Sequence, residues 1–528
     1  MQFNLNRRGF IGGAAASMAL AGCASTKGPR RAGLADHKIR LAVAGVMGKG
    51  FSDWMPMVKS GLAEIVAFYD ADAKTVDRAA GSIANDKKKG KLPADFFDPK
   101  KVPFYDDYRK MIADADKLGI EAMTISTSDH MHTPIAVAAM KKGIHVYVQK
   151  PLVRTLAEAQ EFYKAAKANG VVTQMGNQGS GGDGFRRNVE ILQSGILGDV
   201  TEVHVWTNRP VWPQGLNVEK YVSSRKDADK QPDGFNWDMW LGTAKERPFL
   251  DMYPDGTDVY DPWKLGKHVY APFTWRGFFD FGAGAFGDMA CHTMNLPFRG
   301  LELGVVTQAE CTMIESENKI AYPLKSIVKL TYAARESKVR AGVKLPEVTL
   351  FWYDGQEKPD AKLMPQVIAK DGKVPDTGCL IVGTKGILCS TNDYGQDAFI
   401  ALGDEKVVRN TNEHPACKAV KTWIPRCKGV AAAGGMDKSD GAASLTADGH
   451  YIEFLTAING TSAMFTETNS RCYSDVDYSI PMMEAILVGT VAQRLPKTVL
   501  KWCTKAQKFD NEQANALIKP YIRKGFEY

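Results

Sequence analysis

Three polar residues have the types and the spacing that acid–base chemistry requires. Lys150 ends a predicted strand, and Pro151 stops the hydrogen-bond ladder there. A lysine that is partly desolvated beside a positive charge has a lowered pKa and can accept a proton from a hydroxyl group. Asp288 and His292 are four residues apart on a predicted helix, so they share one of its faces. We expect the carboxylate to orient the imidazole and raise its pKa, which makes His292 the partner of Lys150 or its alternative as acid and base.

Metal binding is a weaker interpretation of the same residues. Asp288 and His292 supply two ligands, but no third ligand follows from the spacing. His130 and His132 form an H-x-H pattern after a strand, again without further ligands at zinc spacing. We therefore predict that the chain holds no metal ion.

A glycine-rich turn follows the first predicted strand, and its glycines are Gly45, Gly48 and Gly50. Such glycines let backbone amides approach a pyrophosphate at the N-terminus of the next helix. A second strand, residues 63–69, ends at Asp70, 20 residues after Gly50, where a carboxylate accepts from the ribose hydroxyls of adenosine. Because this carboxylate would repel a 2′-phosphate, the pattern favours NAD over NADP. The glycine order is G-x-x-G-x-G rather than G-x-G-x-x-G, so an ordinary strand–turn–helix connection is the alternative.

Strands and helices alternate in the first third of the chain, which predicts a doubly wound parallel sheet. Strands are predicted over 122–126, 145–148 and 171–175, and helices over 134–142 and 155–169. From about residue 198 the strands are longer and are separated by turns. The clearest of these later elements are strands over 201–208, 326–333 and 348–353 and helices over 446–458 and 481–491.

The N-terminus has the pattern of a bacterial export signal. The twin arginines Arg7 and Arg8 precede an aromatic residue and an apolar stretch too short to span a membrane. The sequence Leu-Ala-Gly-Cys that ends at Cys23 resembles a lipobox, in which cleavage leaves a lipidated cysteine. We predict a signal peptide over 1–22 and a flexible tether over 23–36. The protein is then periplasmic, and its one membrane contact is the lipid anchor.

Charge and composition exclude nucleic acid as a partner. The 528 residues include 67 basic and 60 acidic side chains, for a net charge of +7. This bias is mild, and no dense basic stretch is flanked by aromatic residues, as nucleic-acid binding would require.

Three motifs give the sequence a resemblance to a known family. They are Thr127-Ser128-Asp129-His130-Met131-His132-Thr133-Pro134, Gln149-Lys150-Pro151, and Gly284-Ala285-Phe286-Gly287-Asp288-Met289-Ala290-Cys291-His292. The sequence resembles the Gfo/Idh/MocA oxidoreductases, which include glucose–fructose oxidoreductase and inositol dehydrogenase, and especially their exported branch in Bacteroidetes-type bacteria. The resemblance implies an α/β Rossmann domain with a doubly wound parallel sheet over 37–178. It also implies an α+β domain over 179–528, with an open antiparallel sheet that carries helices and makes dimer or tetramer contacts.

The resemblance also assigns site residues. Lys150, Asp288 and His292 match the family's catalytic positions. The positions expected to contact NAD are Gly45, Met47, Gly48, Gly50, Asp70, Thr127, His132, Gln149, Lys150 and Asn177. Gln149 departs from the family's usual glutamate, which helps to position the nicotinamide ribose, so we expect a changed cofactor geometry. A glutamine can still donate and accept hydrogen bonds.

Aromatic residues are concentrated between residues 206 and 275, where six of the ten tryptophans lie. Aromatic faces pack against the C–H faces of sugar rings, although ordinary core packing explains most of these tryptophans equally well. The predicted substrate contacts are Gln178, Arg209, Trp212, Trp275 and Arg276.

The resemblance implies oxidation of a sugar or glycoside hydroxyl by tightly bound NAD. Because the periplasm has no pool of free NAD, the bound cofactor must be recycled by a second substrate such as a keto-sugar. A redox-neutral glycoside hydrolase is the alternative: oxidation, elimination of the glycosidic oxygen, addition of water and return of the hydride. The third interpretation is a lipid-anchored sugar-binding protein without activity.

Overall fold

The computed structural model describes residues 37–365, 368–427, 442–460 and 472–528. The predicted signal peptide, the tether and the lipidation site Cys23 lie outside the described residues. Within these ranges, no helix is both long and apolar enough to cross a membrane.

The first sheet has six parallel strands and helices on both faces. Its strands are β1 (Ile39–Ala44), β2 (Ala63–Tyr69), β3 (Phe104–Tyr105), β4 (Ala122–Ile125), β5 (His145–Gln149) and β6 (Thr173–Gly176). Its helices are α1 (Lys49–Lys59), α2 (Thr75–Lys88), α3 (Tyr108–Ala113), α4 (Ala115–Leu118), α5 (His132–Lys141) and α6 (Leu156–Asn169). The strand order is β3-β2-β1-β4-β5-β6. These strands are short, apolar and buried, as expected when helices cover both faces of a sheet, and the predicted doubly wound sheet is confirmed.

The second sheet has ten strands in the order β16-β15-β14-β13-β7-β12-β9-β8-β17-β18. Its strands are β7 (Val200–Trp206), β8 (Val306–Glu315), β9 (Lys325–Tyr332), β12 (Val348–Asp354), β13 (Gly378–Gly383), β14 (Gly386–Ser390), β15 (Ala398–Leu402), β16 (Arg409–Asn410), β17 (Leu500–Cys503) and β18 (Lys508–Phe509). A separate hairpin joins β10 (Arg335–Glu336) and β11 (Lys344–Leu345). The sheet is mostly antiparallel as predicted, but β7 and β12 pair in parallel. Parallel strands need a long crossover, and the chain from residue 207 to 347 provides it.

The remaining helices lie around this sheet and between the two sheets. They are α7 (Asp183–Gln193), α8 (Leu216–Ser224), α9 (Trp237–Leu241), α10 (Gly284–Thr293), α11 (Asn295–Gly300), α12 (Pro415–Ala419), α13 (Ala442–Asn459), α14 (Val476–Gln493) and α15 (Glu512–Asn515). Helix α14 begins before the predicted start at Pro481, because the Asp475 carboxylate caps it by accepting from the Tyr478 amide (3.2 Å).

Helix α13 packs back on the nucleotide-binding sheet although it lies far along the chain. Tyr451, Phe454 and Leu455 share one buried cluster with Ile39 and Leu41 of β1. The C-terminal part of the chain therefore helps to form the core around the first sheet.

Candidate active site

A crevice opens between β1 and β4, where the strand order of the first sheet reverses. Gly45 follows β1 with a φ of 86°, and a Cβ atom added there would lie 2.6 Å from the Ser126 carbonyl oxygen. A Cβ atom on Gly50 would lie 1.9 Å from the Gly45 carbonyl oxygen. Only glycine fits at these two positions, so the N-terminus of α1 comes close to the strand ends. This geometry brings backbone amides within reach of a phosphate.

One cavity of about 890 Å³ extends from this turn to the catalytic candidates. Its nucleotide end is lined by Gly45, Met47, Gly48, Asp70 and Arg78. Its other end is lined by Lys150, Arg276, Asp288 and His292. A phosphate-binding turn and an acid–base cluster therefore share one continuous space.

Asp70 lies at the end of β2 and faces the nucleotide end of this cavity. Its carboxylate accepts hydrogen bonds from the amides of Val46 (2.9 Å) and Asp72 (3.0 Å). Burial raises its pKa to about 6, although the two amides oppose this shift. At neutral pH the group is an anion with room for further donors, as the ribose hydroxyls of a dinucleotide would be.

A segment that follows α8 lies against the cavity next to Asp70. The Ala73 amide donates to the Gly234 carbonyl (3.0 Å), and the Asn236 amide donates to the Ala71 carbonyl (2.7 Å). Phe235 pairs with Asp72 between these two bonds and lines the cavity. We call residues 232–236 the strap. It lies across the chain immediately after Asp70, where adenosine would bind.

These observations fit a dinucleotide. The turn offers amides to the pyrophosphate, Asp70 offers a carboxylate to the ribose, and the cavity leads from both toward Lys150. When bound, NAD would accept a hydride at the end of the cavity that holds the acid–base cluster.

Lys150 and Asp288 form a buried ion pair at that end. The Lys150 ammonium donates to the Asp288 carboxylate (2.7 Å) and to its backbone carbonyl (3.1 Å). The Arg276 guanidinium donates to the same carboxylate oxygen (3.1 Å). Burial alone would raise the pKa of Asp288, but Lys150 and Arg276 together hold it well below its usual range. Asp288 is therefore an anion that fixes both cations.

His292 lies one helical turn from Asp288 on α10, and the carboxylate raises the pKa of His292 as expected, but this effect is outweighed. Burial lowers the pKa of His292 well below its usual value, and the nearby Lys150 lowers it further. Within the described part of the chain its imidazole has no hydrogen-bond partner, and Nδ1 is buried without one. The carboxylate of Asp288 is instead occupied by Lys150 and Arg276. Among the described residues, His292 therefore presents to the cavity a neutral imidazole without a hydrogen-bond partner.

Asp129 is a second buried carboxyl group in the cavity wall. It follows β4 in a short turn, near Arg276, Asp288 and Lys150. Burial raises the pKa of Asp129 well above its usual value, and the Arg276 charge does not offset this effect. A buried carboxyl group with a raised pKa holds its proton to a higher pH and is a candidate proton donor to a bound ligand.

Aromatic and arginine side chains surround the mouth of the cavity. The Arg209 guanidinium lies 4.6 Å from the ring centre of Trp263, which is 50% exposed. The Arg276 guanidinium lies 4.1 Å from the ring centre of Phe273 and 4.3 Å from that of Trp275. Phe273 has a φ of 73°, which is rare for a bulky residue, and Arg276 donates to its carbonyl (3.0 Å). The mouth thus presents flat apolar faces with fixed charges beside them.

Most of the predicted site residues line this cavity, although their roles remain predictions. Those that line it are Gly45, Met47, Gly48, Asp70, Thr127, Gln149, Lys150, Gln178, Arg209, Trp275, Arg276, Asp288 and His292. Among the described residues, no group of three or more His, Cys, Asp or Glu side chains could hold a metal ion.

Four predicted contact residues lie behind the wall instead of in it. Gly50 supports Gly45, as described above. His132 lies between the carbonyl oxygens of Pro151 (2.9 Å) and Thr127 (3.1 Å), and burial lowers its pKa to about 4. Asn177 is buried and donates weakly to the Cys291 carbonyl (3.5 Å). The Trp212 indole donates to Gln214 (2.9 Å) and packs edge-on against Phe273. Gly50, His132 and Trp212 each contact a residue that lines the cavity, namely Gly45, Thr127 and Phe273.

Several cavity residues are absent from the sequence-based predictions. Asp129 follows a parallel strand, so its position at the carboxyl edge of the sheet was a usable signal. Tyr394 packs edge-on against His292, with ring centres 5.1 Å apart, and comes from a loop after β14. Nothing in its local sequence marks it, and the same holds for Phe235 of the strap.

Comparison with known proteins agrees with this geometry. Residues 39–177 match the family model for the Gfo/Idh/MocA proteins, described as an oxidoreductase family with an NAD-binding Rossmann fold. Inositol 2-dehydrogenase of Salmonella typhimurium is 33% identical over 101 residues, which are 19% of this chain and 29% of that protein. A glycosyl hydrolase family 109 protein of Shewanella amazonensis is 28% identical over 180 residues, which are 31% of this chain and 37% of that protein. The match therefore spans about a third of the length of these relatives.

The solved structures extend the comparison of the fold to nearly the whole chain. An inositol dehydrogenase homologue of Azotobacter vinelandii in complex with NAD⁺ has a TM-score of 0.54 at 14% identity. The superposition covers 90% of this chain and 99% of that chain. At this identity the similarity establishes the fold alone.

The N-terminal sheet, its glycine-rich turn and the matched model define a Rossmann domain over residues 39–177 that is similar to the NAD-binding domain of the Gfo/Idh/MocA oxidoreductases. The motifs noted in the sequence, from Gly45 to Pro151, lie within the residues that this family model matches.

Proposed function

We propose that this protein is an NAD-dependent oxidoreductase that acts on a hydroxyl group of a sugar or glycoside. The observation that supports this most is the continuous cavity, which joins the phosphate-binding turn to Lys150, Asp288 and His292. The relatives named above include an inositol 2-dehydrogenase, whose substrate is a polyhydroxylated ring. The aromatic mouth suits the same class of ligand, because flat apolar faces pack on the C–H faces of sugar rings.

The geometry suggests a division of roles within the acid–base cluster. Lys150 is held as a donor by Asp288, so it would bind the oxygen of the reacting hydroxyl and stabilise negative charge there. His292 is neutral and unpaired within the described residues, so it would accept the hydroxyl proton. Asp288 would position Lys150 and Arg276. Because it does not bond His292, the imidazole stays available to accept a proton.

The strap supports the further proposal that NAD stays bound through many turnovers. Two backbone hydrogen bonds fasten it across the chain after Asp70, and Phe235 reaches into the cavity there. A dinucleotide beneath it would leave only after the strap opens. A second sugar that carries a carbonyl group, such as a keto-sugar, would then accept the hydride and reoxidise the retained cofactor in place.

Retention of NAD suits the location that we propose. The twin-arginine pattern favours export as a folded protein into the periplasm. The lipobox at Cys23 favours a lipid anchor that holds the protein at a membrane there. The second sheet supports a homo-oligomer, because β9 alternates fully buried with half-buried residues and so keeps one face partly open.

A redox-neutral glycoside hydrolase is the second candidate, and Asp129 is the observation that favours it. The buried carboxyl group of Asp129, whose pKa is raised by burial, would donate to the leaving glycosidic oxygen from its protonated form once oxidation has acidified the neighbouring C–H bond. Water addition and return of the hydride would complete the cycle. The glycosyl hydrolase family 109 relative agrees with this candidate.

Nuclear magnetic resonance in heavy water distinguishes the two candidates. The NAD-loaded protein is incubated with a panel of methyl glycosides and a keto-sugar acceptor. A keto-glycoside with an intact glycosidic bond supports the oxidoreductase. Free sugar with deuterium beside the oxidised carbon supports the hydrolase, and an unchanged panel with unreduced cofactor contradicts both.

A further inference from the structure

The carboxylate of Asp53 accepts hydrogen bonds from four side chains beside the glycine-rich turn. Asp53 lies on α1 and is completely buried. Its carboxylate accepts from Lys49 Nζ (2.7 Å) and from Ser126 Oγ (2.7 Å). Ser126 directly follows β4, so the first two bonds already connect α1 to the end of a central strand.

The third donor is Gln149 at the end of β5. Its Nε2 lies 3.0 Å from Oδ1 and 2.9 Å from Oδ2 of Asp53, while its Oε1 accepts from the Lys150 amide (3.3 Å). A Cβ atom on Gly176 would lie 2.5 Å from this Nε2, so the amide has little room to move. The side chain of Gln149 therefore connects Asp53 to the backbone of Lys150.

The fourth donor comes from the distant helix α13. The Tyr451 hydroxyl donates to Asp53 (2.9 Å) and accepts from Lys49 Nζ (2.9 Å). Asp53 thus joins α1, α13 and the ends of β4 and β5. Three of its partners, namely Lys49, Ser126 and Gln149, also line the cofactor cavity.

We propose that Asp53 is the positioning residue of the NAD site and that its buried charge requires an amide at position 149. A carboxylate at 149 would place a second negative charge about 3 Å from the first in a buried site, where the repulsion is strong. Lys49 is the one cation that bonds Asp53 within the described residues, and it cannot neutralise two carboxylates. The amide of Gln149 donates to Asp53 and accepts from the Lys150 amide. These bonds hold the ends of β4 and β5 and the glycine-rich turn in the relative positions that dinucleotide binding requires.

A charge exchange tests this proposal on the full, NAD-loaded chain. The rate of NAD release is measured by exchange with excess NADH, whose fluorescence reports binding, and thermal unfolding is followed in parallel. Gln149→Glu and Asp53→Asn should each accelerate NAD release by about tenfold or more. The double variant moves the carboxylate to the other side of the pair, and its release rate should lie within about threefold of the original protein. Gln160→Glu, an exposed glutamine on α6, controls for the added charge and should change nothing.

The double variant decides the outcome. If the double variant retains NAD, residues 53 and 149 act as a charge-matched pair, which a merely structural role would not explain. A double variant that releases NAD as fast as Gln149→Glu overturns the proposal, and so does a Gln149→Glu variant with unchanged release. If Gln149→Glu fails to fold, the proposal still requires the double variant to fold and retain NAD, and failure of both overturns it. Because NAD release needs no substrate, these results are independent of the proposed activity.

Discussion

The ammonium nitrogen of Lys150 lies 2.7 Å from Oδ1 of Asp288, although the two residues are 138 positions apart in the chain. Lys150 directly follows β5 of the nucleotide-binding sheet, and Asp288 lies on α10 of the following part of the chain. This ion pair joins the end of the nucleotide-binding sheet to α10, which lines the substrate end of the cavity. It also explains why His292 is left unpaired in the described structure.

Asp288→Asn removes the charge that holds Lys150 and Arg276 but keeps the size of the side chain. Hydride transfer should fall by about 10²- to 10⁴-fold, because Lys150 loses its fixed orientation toward the hydroxyl group. NAD retention should not change, since Asp288 lies at the opposite end of the cavity from Asp70. Stopped-flow absorbance of the reduced nicotinamide measures the first quantity, and the NAD content after gel filtration measures the second. Unchanged hydride transfer would refute the role of the ion pair.

NAD retention should depend on pH through Asp70. Its pKa is raised to about 6, so the carboxylate is charged above this pH and becomes protonated as the pH falls through it. Protonation removes an acceptor for the ribose hydroxyls, so NAD release should accelerate as the pH falls from about 8 to about 5. Asp70→Asn should release NAD at the faster rate throughout, without this transition. If the transition persists in Asp70→Asn, another group is responsible.

Phe235→Ala tests the strap. Loss of the ring from the cavity wall should accelerate NAD release by about fivefold or more, because apolar contact with the adenosine end is lost. Phe351→Ala is the matched control, since Phe351 is half-buried on β12 and does not line the cavity. Equal release rates in the two variants would show that the strap does not retain the cofactor.

Trp263→Ala tests the aromatic mouth. With a glycoside identified as substrate, KM should rise by about three- to tenfold while kcat changes little, because stacking contributes to binding and not to the chemical step. Trp423 is similarly exposed, at 43%, but lies outside the cavity, so Trp423→Ala should leave KM unchanged. A fall in kcat without a change in KM would contradict this role.

The parts of the site that local sequence encodes were predictable. The glycine-rich turn, Asp70 and Lys150 each follow a strand of the parallel sheet, and the carboxyl ends of such strands meet at one edge. The shared helical face of Asp288 and His292 was also evident from their spacing. Their partners were not, because Arg276 and Lys150 reach Asp288 through the tertiary fold and leave His292 without the expected carboxylate.

Contacts between distant segments account for the other differences. The strap, Tyr394 and the Asp53–Tyr451 bond join positions that are far apart in the chain, and no periodicity or spacing encodes such pairs. The parallel pairing of β7 with β12 has the same origin, since it depends on how the long crossover between them packs.

The most direct test of the central claim is a single-turnover comparison of the NAD-loaded protein with its Lys150→Ala variant. Each is mixed with an excess of the glycosides and sugars of the screening panel, and reduction of the bound nicotinamide is followed by absorbance. The account predicts rapid reduction by at least one sugar in the original protein and a loss of about 10²- to 10⁴-fold in the variant, with NAD still bound in both. Equal rates in the two proteins, or no reduction by any sugar in either, would contradict it.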